Sequence, residues 1–158
     1  MKENGATFMT RAVRLALDGL RNSGGGPFGA VVVKDGEIVG KGSNKVTSSC
    51  DPTAHAEVVA IRDACKNLGT FQLDGCEIYT SCEPCPMCLG AIYWARPEKV
   101  FYACTKKDAA DAGFDDDFIY KEIELPNENR KIPFQQMGRE EALTIFKEWM
   151  EKTDKVEY

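Results

Sequence analysis

The chain contains one histidine, His55, and it stands two residues before an acid in His55-Ala56-Glu57. About thirty residues later comes Pro84-Cys85-Pro86-Met87-Cys88. One imidazole, two thiolates and a carboxylate at these offsets fit a zinc centre with three protein ligands and an open fourth position; a structural centre would take four. That requirement constrains the fold, because two segments far apart in sequence must meet on one ion. Cysteines at i and i+3 on the first turn of a helix point the same way. A helix N-terminus also stabilises thiolates through its partial positive charge. The expected arrangement is therefore two helices that start at one edge of a sheet.

The open position matters because zinc lowers the pKa of a held water towards neutrality. Glu57, two residues past a ligand, is placed to move that water's proton. Each residue also has a simpler reading. Glu57 would suit a helix start as a charge offsetting the dipole. Cys-x-x-Cys alone would suit a redox pair or half of a structural zinc site, and Cys82 is a rival fourth ligand that would close the centre. The presence of His-x-Glu upstream, with no other histidine, favours catalysis. H-x-E followed by P-C-x-x-C is the pattern of zinc-dependent base deaminases. We therefore expect His55, Cys85 and Cys88 to hold Zn2+ and Glu57 to be catalytic.

A length of 158 residues with 43% hydrophobic content suits one domain with one core. The apolar run Cys88–Ala95 is too short to span a bilayer. The start, Met1 to Gly5, lacks a charged-then-apolar leader pattern, so a cytoplasmic location is expected. Seven cysteines is an odd count, which in a reducing compartment reads as metal ligation plus free thiols. Cys65, Cys76 and Cys104 are expected as small core residues. The net charge of −5 argues against a broad nucleic-acid footprint and towards a small, uncharged substrate.

Phe8, Ala12, Leu15, Ala16 and Leu20 predict a helix over residues 6–22, ended by Gly24-Gly25-Gly26-Pro27. That glycine run lacks the Gly-Lys-Ser/Thr of a phosphate loop. A strand over 28–33, an Asp35-Gly36 turn and a return strand over 37–42 make a hairpin. A polar loop follows, with Asp51-Pro52-Thr53 as helix-start residues, then a helix over 54–68. Strands are expected at 77–80, 99–104 and 132–137. Helices are expected at 87–95, 105–112 and 140–152. This order predicts an α/β fold: a three-layer α/β/α sandwich with a central mixed sheet of about five strands. Residues 124–131 are the most linker-like stretch, a hinge that would let a segment over about 125–158 reach another subunit.

The chain resembles the cytidine deaminase superfamily, and within it the bacterial guanine deaminases. The resemblance runs through Gly25-Gly26-Pro27-Phe28-Gly29-Ala30-Val31, Asp51 to Glu57, Tyr79 to Cys88 and Gly90 to Trp94. The segments Ala112 to Asp116 and Phe118 to Glu122 are more specific, as is the Val156-Glu157-Tyr158 tail. The resemblance implies a cytidine deaminase-like fold and hydrolysis of guanine to xanthine and ammonia, with water attacking C2. It implies Glu57 as the proton carrier and Asp116 as a second catalytic acid near the departing amine. It also implies Asn44 as a hydrogen-bond partner of the purine, Phe28 as a stacking surface and Trp94 as a further wall. Tyr158 would close over the site from a domain-swapped partner in a homodimer.

Without the resemblance, Asp115-Asp116-Asp117 reads as a solvated acidic turn. Phe28 and Trp94 read as core, Asn44 as a turn residue and Tyr158 as a frayed end. Two other functions compete. A tRNA adenosine deaminase would need clustered Lys and Arg around the site, where this chain has Phe114-Asp115-Asp116-Asp117. A non-catalytic zinc module would have no use for Glu57. Guanosine, cytosine and other aminated heterocycles remain alternative substrates.

Overall fold

Alanines at every fourth position make a flat stripe on a helix, and Ala56, Ala60 and Ala64 form one in this chain. The computed structural model describes residues 5–158. Apart from Gly5, the leader reading at Met1 to Gly5 lies outside the described residues. The three alanines belong to a helix at Ala56–Leu68 (α3) and are fully buried. They lie against a strand at Glu37–Ser43 (β2) that carries Gly40 and Gly42. A Cβ added at Gly40 would stand 2.5 Å from the Ala60 carbonyl oxygen, and one at Gly42 would stand 2.1 Å from that of Ala56. Only glycine permits this approach, so the N-terminal end of α3 is pinned to the end of β2.

β2 is the return half of a hairpin with Gly29–Lys34 (β1). Asp35 and Gly36 take φ of 53° and 82° at its tip, the left-handed pair that a two-residue hairpin turn needs. A bulge lies where Val32 pairs with Gly40 and Val33 with Ile38. β1 also pairs antiparallel with Cys76–Cys82 (β3). β3 pairs in parallel with Lys99–Cys104 (β4), through a helix at Pro86–Ala95 (α4). The mixed sheet has four strands among the described residues, in the order β2-β1-β3-β4.

The strands alternate as a pleat requires. Ala30, Val32 and Ile78 cluster with the α3 alanines and with Ile92 and Ala95 of α4. Val31, Val33 and Tyr79 cluster with Phe8. Phe8 lies on the first helix, Gly5–Asp18 (α1), which buries Phe8, Ala12 and Ala16. Tyr79 stacks on Phe101 with ring centroids 4.6 Å apart. A single π-helical turn, Gly19–Ser23, continues α1 before Gly24 turns left-handed.

The polar loop after β2 contains one short helix, Val46–Ser49 (α2). Beyond β4 come Lys106–Asp111 (α5), Asp117–Glu124 (α6) and Arg139–Glu151 (α7). The chain divides into two compact units, Met1–Asp116 and Asp117–Tyr158.

Three expectations need correction. Among the described residues the sheet has four strands rather than about five, because residues 132–137 form no strand; Pro133 removes a ladder donor there. Asp115–Asp117 is not a free turn throughout, because Asp117 opens α6 and pairs with Lys121 one turn on, Nζ to Oδ2 at 2.6 Å. Cys104 is exposed rather than a core residue, because β4 is an edge strand.

Candidate metal and active site

His55 and Cys85 occupy equivalent places. Each is the N-cap of its helix, with extended backbone and no capping hydrogen bond from its own side chain. The side chains are thereby left to point away from the helices. Asp51 acts one step earlier than expected: its carboxylate accepts from the Thr53 amide at 2.8 Å and the Thr53 hydroxyl at 2.7 Å. This local turn leads the chain into His55 rather than capping α3. Pro86 takes the first helical position of α4, where its missing N–H costs nothing. Cys88 follows one turn on.

The two caps meet. His55 Nδ1 and Cys85 Sγ lie 3.5 Å apart. The ligand atoms of His55, Cys85 and Cys88 all fall within 4.8 Å of one another. Tetrahedral zinc with bonds of about 2.0 Å to nitrogen and about 2.3 Å to sulfur would space its ligands about 3.5–3.8 Å apart. One imidazole and two thiols at this spacing therefore suit zinc. Cys82 is outside the group; its Sγ donates to the Thr105 carbonyl at 3.6 Å, which leaves three candidate ligands. Cys82 and its thiol, pushed up to about 11 by burial and then by Cys104, suit a packed thiol.

The electrostatics agree with a ligand cluster. The hydrogen bond from Cys88, then the imidazole of His55, bring the Cys85 thiol down to about 4 against the effect of burial. His55 is raised in turn by its hydrogen bond with Cys85. Cys88 is raised, first by its hydrogen bond to Cys85 and then by burial. Glu57, at the second position of α3, is 5% exposed, and burial raises its carboxyl. Its Oε2 accepts from Cys88 Sγ at 3.4 Å, and its Oε1 from the Thr80 hydroxyl at 3.0 Å.

A cavity of about 620 Å³ opens on this cluster. It is lined by His55, Glu57 and Cys85, and also by Phe28, Asn44, Phe114 and Asp116. The rings of Phe28 and Phe114 meet at a near right angle, with centroids 5.0 Å apart and planes at 86°. Asn44 Oδ1 accepts from the amides of Gly26 and Val46, each at 3.2 Å. Both partners are N–H donors, so the oxygen is committed to the loops and the Nδ2 group is left to donate. Burial, then the charge of Cys85, raise the Asp116 carboxyl.

Two expected site residues are not in this set. Trp94 is 64% exposed and absent from the cavity lining. The buried face of α4 carries Cys88, Ile92 and Ala95, and a residue two past Ile92 falls on the far side of a helix. Tyr158 ends the second unit. Conversely, Thr80 and Phe114 take part without having been assigned roles from sequence. Both stood in the motif segments, but only strand register and packing reveal their contacts.

Residues 2–104 match the model of the cytidine and deoxycytidylate deaminase zinc-binding region. The chain belongs to this deaminase family. It is 63% identical over 155 residues to the guanine deaminase of Bacillus subtilis (strain 168), covering 98% of this chain and 99% of that one. A crystal structure of guanine deaminase from Bacillus subtilis superposes with a TM-score of 0.96 at 62% identity, covering 99% of each chain. A tRNA-specific adenosine deaminase of Aquifex aeolicus (strain VF5) is 39% identical over 127 residues, covering 80% of this chain and 81% of that one. The family's domain is a zinc-binding region, and His55, Cys85 and Cys88 form a group in place for zinc. No helix among the described residues is long and apolar enough to cross a membrane.

Proposed function

We propose that this deaminase hydrolyses guanine to xanthine and ammonia. The observation that carries the reading is the match to a guanine deaminase over 98% of the chain, joined to an intact three-ligand cluster beside a buried acid. His55 would hold zinc through Nδ1, with Cys85 and Cys88 as thiolates. Zinc, when bound, supplies the Lewis acidity that makes water nucleophilic near neutral pH.

The chain's own residues do the rest. Glu57 takes the water proton and passes it to a ring nitrogen; burial and the raised carboxyl suit a group that must both accept and donate. Asp116 faces the same cavity and assists the departing amine. Phe28 stacks on the base, with Phe114 packed against it at a near right angle. The Asn44 amide donates to a purine acceptor. A base that left this buried donor unpaired would bind far less well.

The remaining features belong to the same reading. The two hydrophobic clusters on opposite sides of the sheet support a three-layer α/β/α sandwich. The chain forms a homodimer in which the C-terminal segment over about 125–158 is swapped, and Tyr158 closes over the partner's cavity. Exposed Ile132, Phe134, Met137 and Phe146 in that segment support this, because apolar side chains in such number need cover. Seven free cysteines support a reducing, cytoplasmic location. A net charge of −5 disfavours tRNA as substrate.

The test follows guanine loss and xanthine gain by ultraviolet absorbance with zinc-loaded protein. Guanine should turn over, and Glu57→Ala should keep its zinc yet lose turnover. Stable zinc-loaded protein without xanthine formation would refute the proposal.

A further inference from the structure

Glu57 has two carboxylate oxygens, and only one can face the ligand cluster. Its terminal torsion is intrinsically broad, so helix geometry alone does not decide which way the carboxylate plane turns. The Thr80 hydroxyl does: it donates to Oε1 at 3.0 Å, and Oε2 then lies 3.4 Å from Cys88 Sγ. The donor is held firmly. Thr80 is 1% exposed and sits at the centre of the sheet, paired with Ala30 on one side and Tyr102 on the other. Its β-branched side chain is stiff at χ1.

We propose that Thr80 is a positioning residue for proton transfer. It fixes the Glu57 carboxylate so that one oxygen is anchored to the sheet and the other serves the reacting water and base. It touches neither substrate nor zinc, and its role rests on the proposed use of Glu57 as the proton carrier. Carrying a proton from water to a ring nitrogen demands one carboxylate orientation at both ends of the transfer. A freely turning carboxylate would lose rate without losing substrate affinity. A merely structural threonine would affect stability and zinc retention instead.

The experiment compares Thr80→Val, Thr80→Ser and Glu57→Gln as zinc-loaded, full-length proteins. Zinc content and affinity are measured by chelator competition, and stability by urea unfolding. Thr80→Val keeps the shape and removes the donor. Its kcat should fall about ten- to a hundredfold, the scale on which misplaced catalytic groups cost rate. Its KM and zinc affinity should stay within about twofold of the parent protein. Thr80→Ser should recover most of the lost kcat. An unchanged kcat in Thr80→Val, a loss carried by KM or by zinc release, or no rescue by serine would each overturn the proposal. Glu57→Gln separates the two levels: if it turns over normally, the reading of Glu57 itself is wrong. If it is inactive while Thr80→Val is normal, only the role of Thr80 fails.

Discussion

Gly42 on β2 and Ala56 on α3 meet backbone to backbone, so close that a Cβ on Gly42 would stand 2.1 Å from the Ala56 carbonyl oxygen. Ala56 lies between His55 and Glu57, so this contact sets the height of the ligand and of the acid above the sheet. Gly42→Ala should lower unfolding stability by about 3 kcal/mol, the upper part of the overpacking range. It should also weaken zinc binding, because α3 must lift. Urea unfolding and chelator competition on the same sample check both effects.

Metal removal should act on folding and on turnover together. The three candidate ligands come from the starts of two helices that only the fold brings together, with ligand atoms within 4.8 Å, so zinc should bind the native state selectively. At a free zinc concentration a thousandfold above its dissociation constant, the linkage is worth about 4 kcal/mol. A chelator should abolish xanthine formation and lower the melting temperature, and added zinc should restore both.

Asp116→Asn should cost about a hundredfold or more in kcat if the carboxyl assists proton traffic at the departing amine. Zinc content and stability should change little. A steady-state comparison with guanine decides this, and a normal kcat would remove Asp116 from the mechanism.

Tyr79 predicts an alkaline limit to stability. Its hydroxyl donates to Glu77 Oε2 at 2.7 Å. Burial, then the bond to Glu77, push it from 10.0 up to about 12. A pKa raised on folding stabilises fully below the unfolded value, and that share is lost as pH rises from about 10 through 12. The full share is about 3 kcal/mol at most, from the two-unit rise at 1.36 kcal/mol per unit. Urea unfolding from pH 9 upwards should show stability falling from about pH 10, and Tyr79→Phe should flatten that slope.

Trimming the chain before Val156 should impair catalysis more than folding, because Tyr158 is proposed to close a partner's cavity. Circular dichroism and steady-state kinetics on the trimmed protein test this. Unchanged kinetics would remove the lid.

The site was legible where chemistry fixes residue type and spacing. The meeting of His55, Cys85 and Cys88 could be read because metal ligation tolerates few substitutes. The Asp35-Gly36 turn and the β4 strand were readable from turn chemistry and alternation. The misreadings arose where tertiary context decides. Ile132 and Phe134 alternate like a strand but pair with nothing in the sheet. Trp94 is apolar on an apolar helix, and only the packing of Cys88, Ile92 and Ala95 shows that it faces outwards. The α6 helix was hidden by its acidic start. Thr80 could not be read as a partner of Glu57, because that bond depends on strand register and on the seat of α3.

The most direct measurement is ammonia release from zinc-loaded protein given guanine, guanosine, cytosine, adenine and a tRNA anticodon stem-loop in parallel, with Glu57→Ala as the blank. The account predicts release from guanine well above every other substrate, and none from the blank. Turnover of the stem-loop or another base, with none of guanine, would contradict the proposed function while leaving the zinc chemistry in place.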